Sequence, residues 1–82
     1  MATHNVTIAA DGLTTDAIDL ANFTDMVIEV EGIRADSNLA IEWSDDGIKW
    51  PMRFNRSILA GKKYIYRIPK RKQYCRISTE AV

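Results

Sequence analysis

The chain has 82 residues, of which 46% are hydrophobic and 27% are charged, and its formal net charge is zero. This composition excludes a disordered chain and predicts one folded domain, residues 1–82, near the size at which a single core is only just adequate. The single cysteine, Cys75, excludes an intrachain disulfide. No apolar run approaches a membrane span and no signal peptide is evident, so the sequence predicts folding in a reducing cytoplasm, without a membrane partner.

The charge is divided unevenly along the sequence. Residues 1–46 carry ten acidic side chains and one basic one, a net charge of −9, whereas residues 47–82 carry ten basic and one acidic, a net charge of +9. Two interpretations stay open. Acidic strands can pair with basic strands within one fold, or an acidic end can bind the basic end of another copy, head to tail.

Alternating apolar and polar residues predict strands along most of the chain. The first three cover residues 5–10, 14–20 and 26–31. The last two cover residues 62–68 and 73–79, after a loop over residues 55–61. Phe23 is predicted to fold back from the loop that precedes the third strand.

The strongest local signal lies between residues 39 and 54. Two alternating runs flank Asp46-Gly47, and such a pattern predicts a β-hairpin. A two-residue turn would place Trp43 opposite Trp50, and a four-residue turn would place it opposite Ile48. Pro51 predicts that the second arm is an edge strand or contains a bulge, because proline cannot donate a ladder hydrogen bond.

Together these patterns predict an all-β fold, a compact antiparallel β-sandwich of jelly-roll or immunoglobulin-like type with about seven short strands. The predicted core comprises Val6, Ile8, Ile18, Leu20, Ile28, Val30, Ile41, Trp43, Trp50, Ile68, Cys75 and Ile77.

The residues that carry chemistry argue against an enzyme, a metal site and a cofactor site. His4 is the only histidine and lies near the terminus, and Cys75 alternates as a core residue, so no nucleophile has an anchored base. Oxygen ligands for calcium are present in two turns but have no ligand spacing. They are Asp36, Asn38, Asp45 and Asp46. A basic group around residues 70–72 argues only weakly for nucleic acid, because the acidic first half opposes a polyanion.

Two motifs resemble a known group of proteins. They are Ser44-Asp45-Asp46-Gly47-Ile48-Lys49-Trp50 and Tyr74-Cys75-Arg76-Ile77. They resemble the "S-x-D-G-x-x-W" hairpin and the late "Y-x-R-I" strand of small β-sandwich proteins encoded in tailed-bacteriophage structural gene clusters. The similarity spans most of residues 15–79. It implies a virion component made in the host bacterial cytoplasm: a capsid decoration or cement protein, or a neck, tail or fibre protein.

The predicted function is therefore non-enzymatic, through contacts with other virion proteins, such as the major capsid or a tail or neck protein, and through homo-oligomers. The predicted interface has a basic side, formed by Arg53, Arg56, Lys70, Arg71 and Arg76. Its acidic side is formed by Asp16, Asp19, Glu29 and Glu31. The alternative is a carbohydrate-binding module that uses exposed aromatic side chains.

Overall fold

The computed structural model describes residues 2–9 and 12–82, and this part of the chain contains seven strands and no helix. The strands are β1 Ala2–Ile8, β2 Ile18–Asp19, β3 Phe23–Val30, β4 Ser37–Ser44, β5 Met52–Ile58, β6 Tyr64–Pro69 and β7 Tyr74–Ala81. They form a 3-stranded sheet in the order β1-β3-β6 and a 4-stranded sheet in the order β2-β7-β4-β5. The predicted all-β fold of seven strands in two sheets is confirmed.

One pair of strands departs from the antiparallel expectation. β1 and β3 run parallel, whereas the other pairs of named strands are antiparallel. The route of the chain explains this. After β1 it leaves the first sheet, contributes residues 13–19 to the edge of the second sheet, and returns as β3 in the original direction. Parallel neighbours require such a crossover.

The core lies between the two sheets and is formed largely by alternate residues of the strands. Its buried side chains are Ile8, Leu20, Met26, Ile28, Val30, Ile33, Leu39, Ile41, Trp43, Ile58, Cys75 and Ile77. The partly buried residues packed against it include Val6, Ile18 and Ile68, which were predicted as core residues. Phe23 also packs there, as the first residue of β3 rather than from a loop.

The predicted hairpin exists, but its turn is longer than either predicted form. Trp43 lies opposite Met52 and Ile41 lies opposite Phe54, so residues 45–51 form the connection and both predicted registers are wrong. The register differs from the two-residue form by an even number of residues. The same side chains therefore still face the core, because strand side chains alternate with a period of two.

Side chains of the turn explain its length. The Oγ atom of Ser44 accepts a hydrogen bond from the backbone N–H of Gly47 at 2.9 Å. The Oδ1 atom of Asp46 accepts bonds from the N–H groups of Ile48 at 2.9 Å and Lys49 at 3.0 Å. Short polar side chains compete in this way with ladder hydrogen bonds, and the strand resumes only after these donors.

Trp50 belongs to this turn, so its predicted place in the core is wrong. β5 begins after Pro51 and is an edge strand, as the proline predicted. The turn folds over the outer face of the 4-stranded sheet. There the half-buried Trp50 ring centroid lies 4.5 Å from the Cζ atom of Arg76, and the backbone of Gly47 packs on the ring of Tyr74.

Two other predicted boundaries are wrong. Residues 55–58, predicted as loop, belong to β5. Residues 14–17, predicted as strand, form only an isolated bridge at Thr14. Beside that bridge the N–H of Ile77 donates to the Oγ1 atom of Thr15 at 3.0 Å, so a side chain replaces a ladder carbonyl. Ala10, at the end of the first predicted strand, lies outside the described residues.

Gly32 provides a test of the turn that follows β3. Its φ is +71°, and a Cβ atom placed on it would lie 2.9 Å from the carbonyl oxygen of Ala9. Because both the backbone conformation and the space oppose a side chain, we expect Gly32→Ala to lower the free energy of unfolding by about 1–3 kcal/mol in urea titrations. Gly61→Ala is the control, since its φ is +74° but nothing lies within 4 Å. Equal losses would show that the Ala9 contact contributes nothing.

Candidate functional site

Several acidic side chains of the first half of the sequence form salt bridges with basic side chains of the second half. Four salt bridges join an acid of residues 1–46 to a base of residues 47–82. They are Glu31–Lys63 at 3.9 Å, Asp25–Arg67 at 3.4 Å, Asp45–Lys72 at 3.3 Å and Glu42–Arg76 at 3.1 Å. These pairs support the interpretation that acidic and basic strands neutralise one another within one fold.

A cleft remains at the open side between the two sheets, where the edge strands β5 and β6 approach each other. Its volume is about 130 Å³. The residues that line it are Ile41, Trp43, Phe54, Arg56, Arg67, Ile68, Pro69 and Arg71. None of these lining residues is acidic, so the cleft combines an apolar floor with a basic rim.

The three arginines reach the cleft from different elements. Arg56 lies on β5, where its Nη1 atom donates to the carbonyl oxygen of Asn55 at 3.3 Å. Arg71 follows β6, and its Cζ atom lies 4.7 Å from the Phe54 ring centroid. Arg67 lies on β6, but its exposed side chain pairs with Asp25 on the outer face of the 3-stranded sheet. The guanidinium groups of Arg56 and Arg71 remain to bind a carboxylate through paired hydrogen bonds.

Trp43 contributes a second feature to the floor of this cleft. The residue is 0% exposed, and its indole Nε1–H has no hydrogen-bond acceptor among the described residues. A buried donor without an acceptor costs about 1–3 kcal/mol. This donor lies below the surface of the cleft floor, because the Nε1 atom has almost no solvent-accessible area.

The opposite edge of the 4-stranded sheet is acidic. β2 and β5 are its outermost strands, and residues 13–19 extend the β2 edge with two acids and no base. Asp19 accepts bonds from the N–H of Ala21 at 2.9 Å and the Nε2 atom of Gln73 at 3.3 Å. Asp16 is exposed, and neither carboxylate forms a salt bridge within the described part of the chain. Acidic and basic groups thus lie at opposite edges of one sheet.

The other predicted interface residues lie elsewhere. Arg53 and Arg76 are on the outer face of the 4-stranded sheet, where Arg53 is 4.0 Å from Glu80. Glu29 is on the outer face of the 3-stranded sheet. Lys70 donates to the carbonyl oxygen of Leu20 at 3.1 Å, and Glu31 pairs with Lys63 as described.

The predicted set therefore divides into separate regions. Arg56 and Arg71 meet in the cleft, and Asp16 and Asp19 share the opposite edge. Arg67 was missing from the predicted interface. Only the pairing of β6 with β3 at the rim of the sandwich brings it to the cleft, and no local motif in the sequence indicates that.

The chain matches no protein-family model, no curated protein and no solved structure. Across residues 2–9 and 12–82, no helix is long and apolar enough to cross a membrane.

The groups considered for catalysis have structural contacts. Burial, and secondarily the charge of Glu42, raises the pKa of the Cys75 thiol to about 12, so this thiol is protonated at neutral pH. The ring of His4 packs edge-on against Phe23, with 5.0 Å between centroids.

The oxygen ligands considered for calcium lie at opposite ends of β4. Asp36 accepts the N–H of Ala60 at 2.9 Å at one end, and Asp45 pairs with Lys72 at the other. A strand of this length separates them by roughly 25 Å. The described residues contain no group of three or more His, Cys, Asp or Glu side chains that could hold a metal ion.

Asp46 makes the stability of the β4–β5 turn depend on pH. Hydrogen bonds from the N–H groups of Lys49 and Ile48, and then from Ser44, lower the pKa of its carboxyl from 3.8. A lowered folded-state pKa stabilises the fold above pH 3.8, and this contribution is lost as the pH falls through the folded-state value. We expect Asp46→Asn to lower the Tm at pH 7 and to match the parent protein in strongly acidic solution. A difference that does not change with pH would contradict the role of the charge.

Proposed function

We propose that this protein is a non-enzymatic structural protein that acts through protein–protein contacts, including head-to-tail contacts with its own copies. One observation carries the proposal. The cationic cleft and the acidic β2 edge lie at opposite edges of the same sheet, while many of the other charges are neutralised within the chain. A contact between different patches on two copies propagates into a ring or a filament, as repeated assembly requires.

The setting that we propose is a bacteriophage particle. The Ser44–Trp50 and Tyr74–Ile77 motifs support it by their resemblance to small β-sandwich proteins of tailed phages. In that setting the protein would be made in the host bacterial cytoplasm and would sit on the virion as a decoration, cement, neck, tail or fibre protein, bound to a capsid, tail or neck protein and to its own copies.

The nature of the contact determines its strength. Exposed ion pairs contribute only about 0–1 kcal/mol each and are screened by salt beyond roughly 10 Å at 0.1 M. Association through these edges is therefore expected to be weak, concentration-dependent and sensitive to ionic strength.

Light scattering over a range of protein concentrations, at low and at high salt, tests the proposal. We expect an average mass above that of the 9.3 kDa chain at low salt, falling toward it as salt rises. Arg56→Glu should abolish the increase. Lys62→Glu is the matched control, because it makes the same change in charge at an exposed residue outside the cleft. A monomer under every condition would overturn the self-association.

Trp50 supports a second candidate function, the carbohydrate-binding module. The structure places this ring outside the core, beside the ion pair of Glu42 and Arg76, and an aromatic face next to polar groups suits a sugar ring. Trp50 is half-buried, whereas Trp43 is fully buried. A glycan that binds there should shift tryptophan fluorescence in the parent protein and not in Trp50→Phe. No shift across a glycan panel would reject the module.

A further inference from the structure

We infer that the cationic cleft is a receptor for one carboxylate side chain of a second copy of this chain, and that Asp16 supplies it. This inference rests on the proposed function, because it requires that copies bind one another. It adds the residue that enters the cleft and the groups that receive it.

The size of the cleft favours a single side chain over a free ligand. Sites for small molecules usually enclose about 300–1,000 Å³, whereas this cleft measures about 130 Å³. A carboxylate carried on one methylene group fits such a volume, with its backbone remaining outside.

The donors of the cleft suit a carboxylate. The Cζ atom of Arg71 lies over the Phe54 ring, and an aromatic ring offers no oxygen acceptor for the N–H groups of the guanidinium. Arg56 donates one hydrogen bond, to a backbone carbonyl oxygen, within the described part of the chain, although a guanidinium has five N–H groups to donate. A carboxylate between them would accept charge-assisted hydrogen bonds, which are stronger than neutral ones.

The indole of Trp43 is a reporter of occupancy. Trp43 lines the cleft and is fully buried. A carboxylate that enters the cleft changes the electrostatic environment of this ring, although the buried Nε1 atom itself is out of its reach.

Asp16 is the carboxylate best placed to enter. It is exposed, it lies on the edge of the sheet opposite the cleft, and it makes no salt bridge in the described part of the chain. Asp19, on the same edge, already accepts two hydrogen bonds. Ala17, exposed beside Asp16, is small enough to let a second molecule approach closely.

Complementation between two variants tests the inference. Asp16→Arg keeps the cleft but loses the carboxylate, and Arg71→Asp keeps the carboxylate but loses the cleft. We expect each variant alone to be monomeric, with association weakened about tenfold or more. An equimolar mixture should regain association, because the intact carboxylate of one variant meets the intact cleft of the other. Glu29→Arg is the control for the change in charge and should associate like the parent protein.

The outcomes separate the two proposals. If the parent protein stays monomeric at every concentration, self-association fails and this inference fails with it. If the parent associates but Asp16→Arg associates equally well, only the assignment of Asp16 is overturned.

Circular dichroism checks that each variant is folded, and nuclear magnetic resonance gives a second readout. The indole N–H resonance of Trp43 should shift as the parent associates, should stay constant in Asp16→Arg, and should shift more than that of Trp50. A Trp43 resonance that does not move in an associating parent would also overturn the inference.

Discussion

Replacing Trp43 with alanine should lower the free energy of unfolding by about 3–5 kcal/mol, the usual range for a buried tryptophan. Trp43 is the largest fully buried side chain in the described part of the chain. It lies on β4 and packs in the core between the two sheets. A domain of 82 residues is stable by only about 4–12 kcal/mol in total. The variant should therefore lose a large part of its stability, and its unfolding midpoint in urea, followed by circular dichroism, should fall well below that of the parent protein.

Two further variants calibrate this prediction. Trp50→Ala removes the same side chain from the outer face and should cost about 1 kcal/mol, mainly from the lost contact with Arg76. Trp43→Phe keeps most of the apolar volume and removes the unpaired indole N–H, so its cost should be smaller than that of Trp43→Ala. If both tryptophans proved equally tolerant of alanine, the assignment of Trp43 to the core would be wrong.

Replacing Glu42 with alanine should lower the free energy of unfolding by about 2 kcal/mol. The Nη2 atom of Arg76 lies 3.1 Å from both carboxylate oxygens of Glu42. The exposed fractions of the two side chains are only 12% for Glu42 and 33% for Arg76. Removing the carboxylate leaves a guanidinium partly desolvated under Trp50 without its counter-charge, and salt should change the loss little.

A double-mutant cycle isolates this pair. The cycle of Glu42→Ala and Arg76→Ala should give a coupling energy of about 1–2 kcal/mol at low and at high salt. Arg53 and Glu80 provide the comparison, because their side chains lie 4.0 Å apart and are 43% and 66% exposed. Their coupling should be about 0–1 kcal/mol and should disappear in high salt. A Glu42 coupling that salt removes would show that water screens the pair.

Alternation of residue type was enough to predict the sheets. In β3, Met26, Ile28 and Val30 are 0% exposed, and in β7, Cys75 and Ile77 are buried, as their spacing predicted. These predictions are reliable because successive side chains of a strand point to opposite faces of the sheet. Burial of the apolar side chains then decides which face lies against the core.

Two features of the fold depend on tertiary contacts and could not be predicted from local sequence patterns. Trp50 has the spacing of a core residue, but the hydrogen bonds of Ser44 and Asp46 extend the turn and carry the ring to the outer face. The parallel pairing of β1 also could not be predicted, because it depends on the crossover through the second sheet rather than on any local pattern.

In the candidate site, too, the residue types could be predicted from the sequence, whereas their grouping in space could not. Sequence analysis predicted Arg56, Arg71, Asp16 and Asp19 as interface residues from their charge alone. Their grouping into a cleft and an opposite edge follows from the strand order. Arg67 joins the cleft only because β6 lies at the rim of the sandwich, which no spacing within the chain indicates.

The position of β7 has a consequence for synthesis on the ribosome. This last strand, Tyr74–Ala81, lies between β2 and β4 in the 4-stranded sheet. While it is still inside the exit tunnel, the emerged chain can form the β4–β5 hairpin, but β2 and β4 lack the strand between them. The 4-stranded sheet can therefore form only once β7 has left the tunnel, because strands distant in sequence pair late. Until then, β2 and β4 lack a neighbouring strand and their apolar faces stay exposed to aggregation.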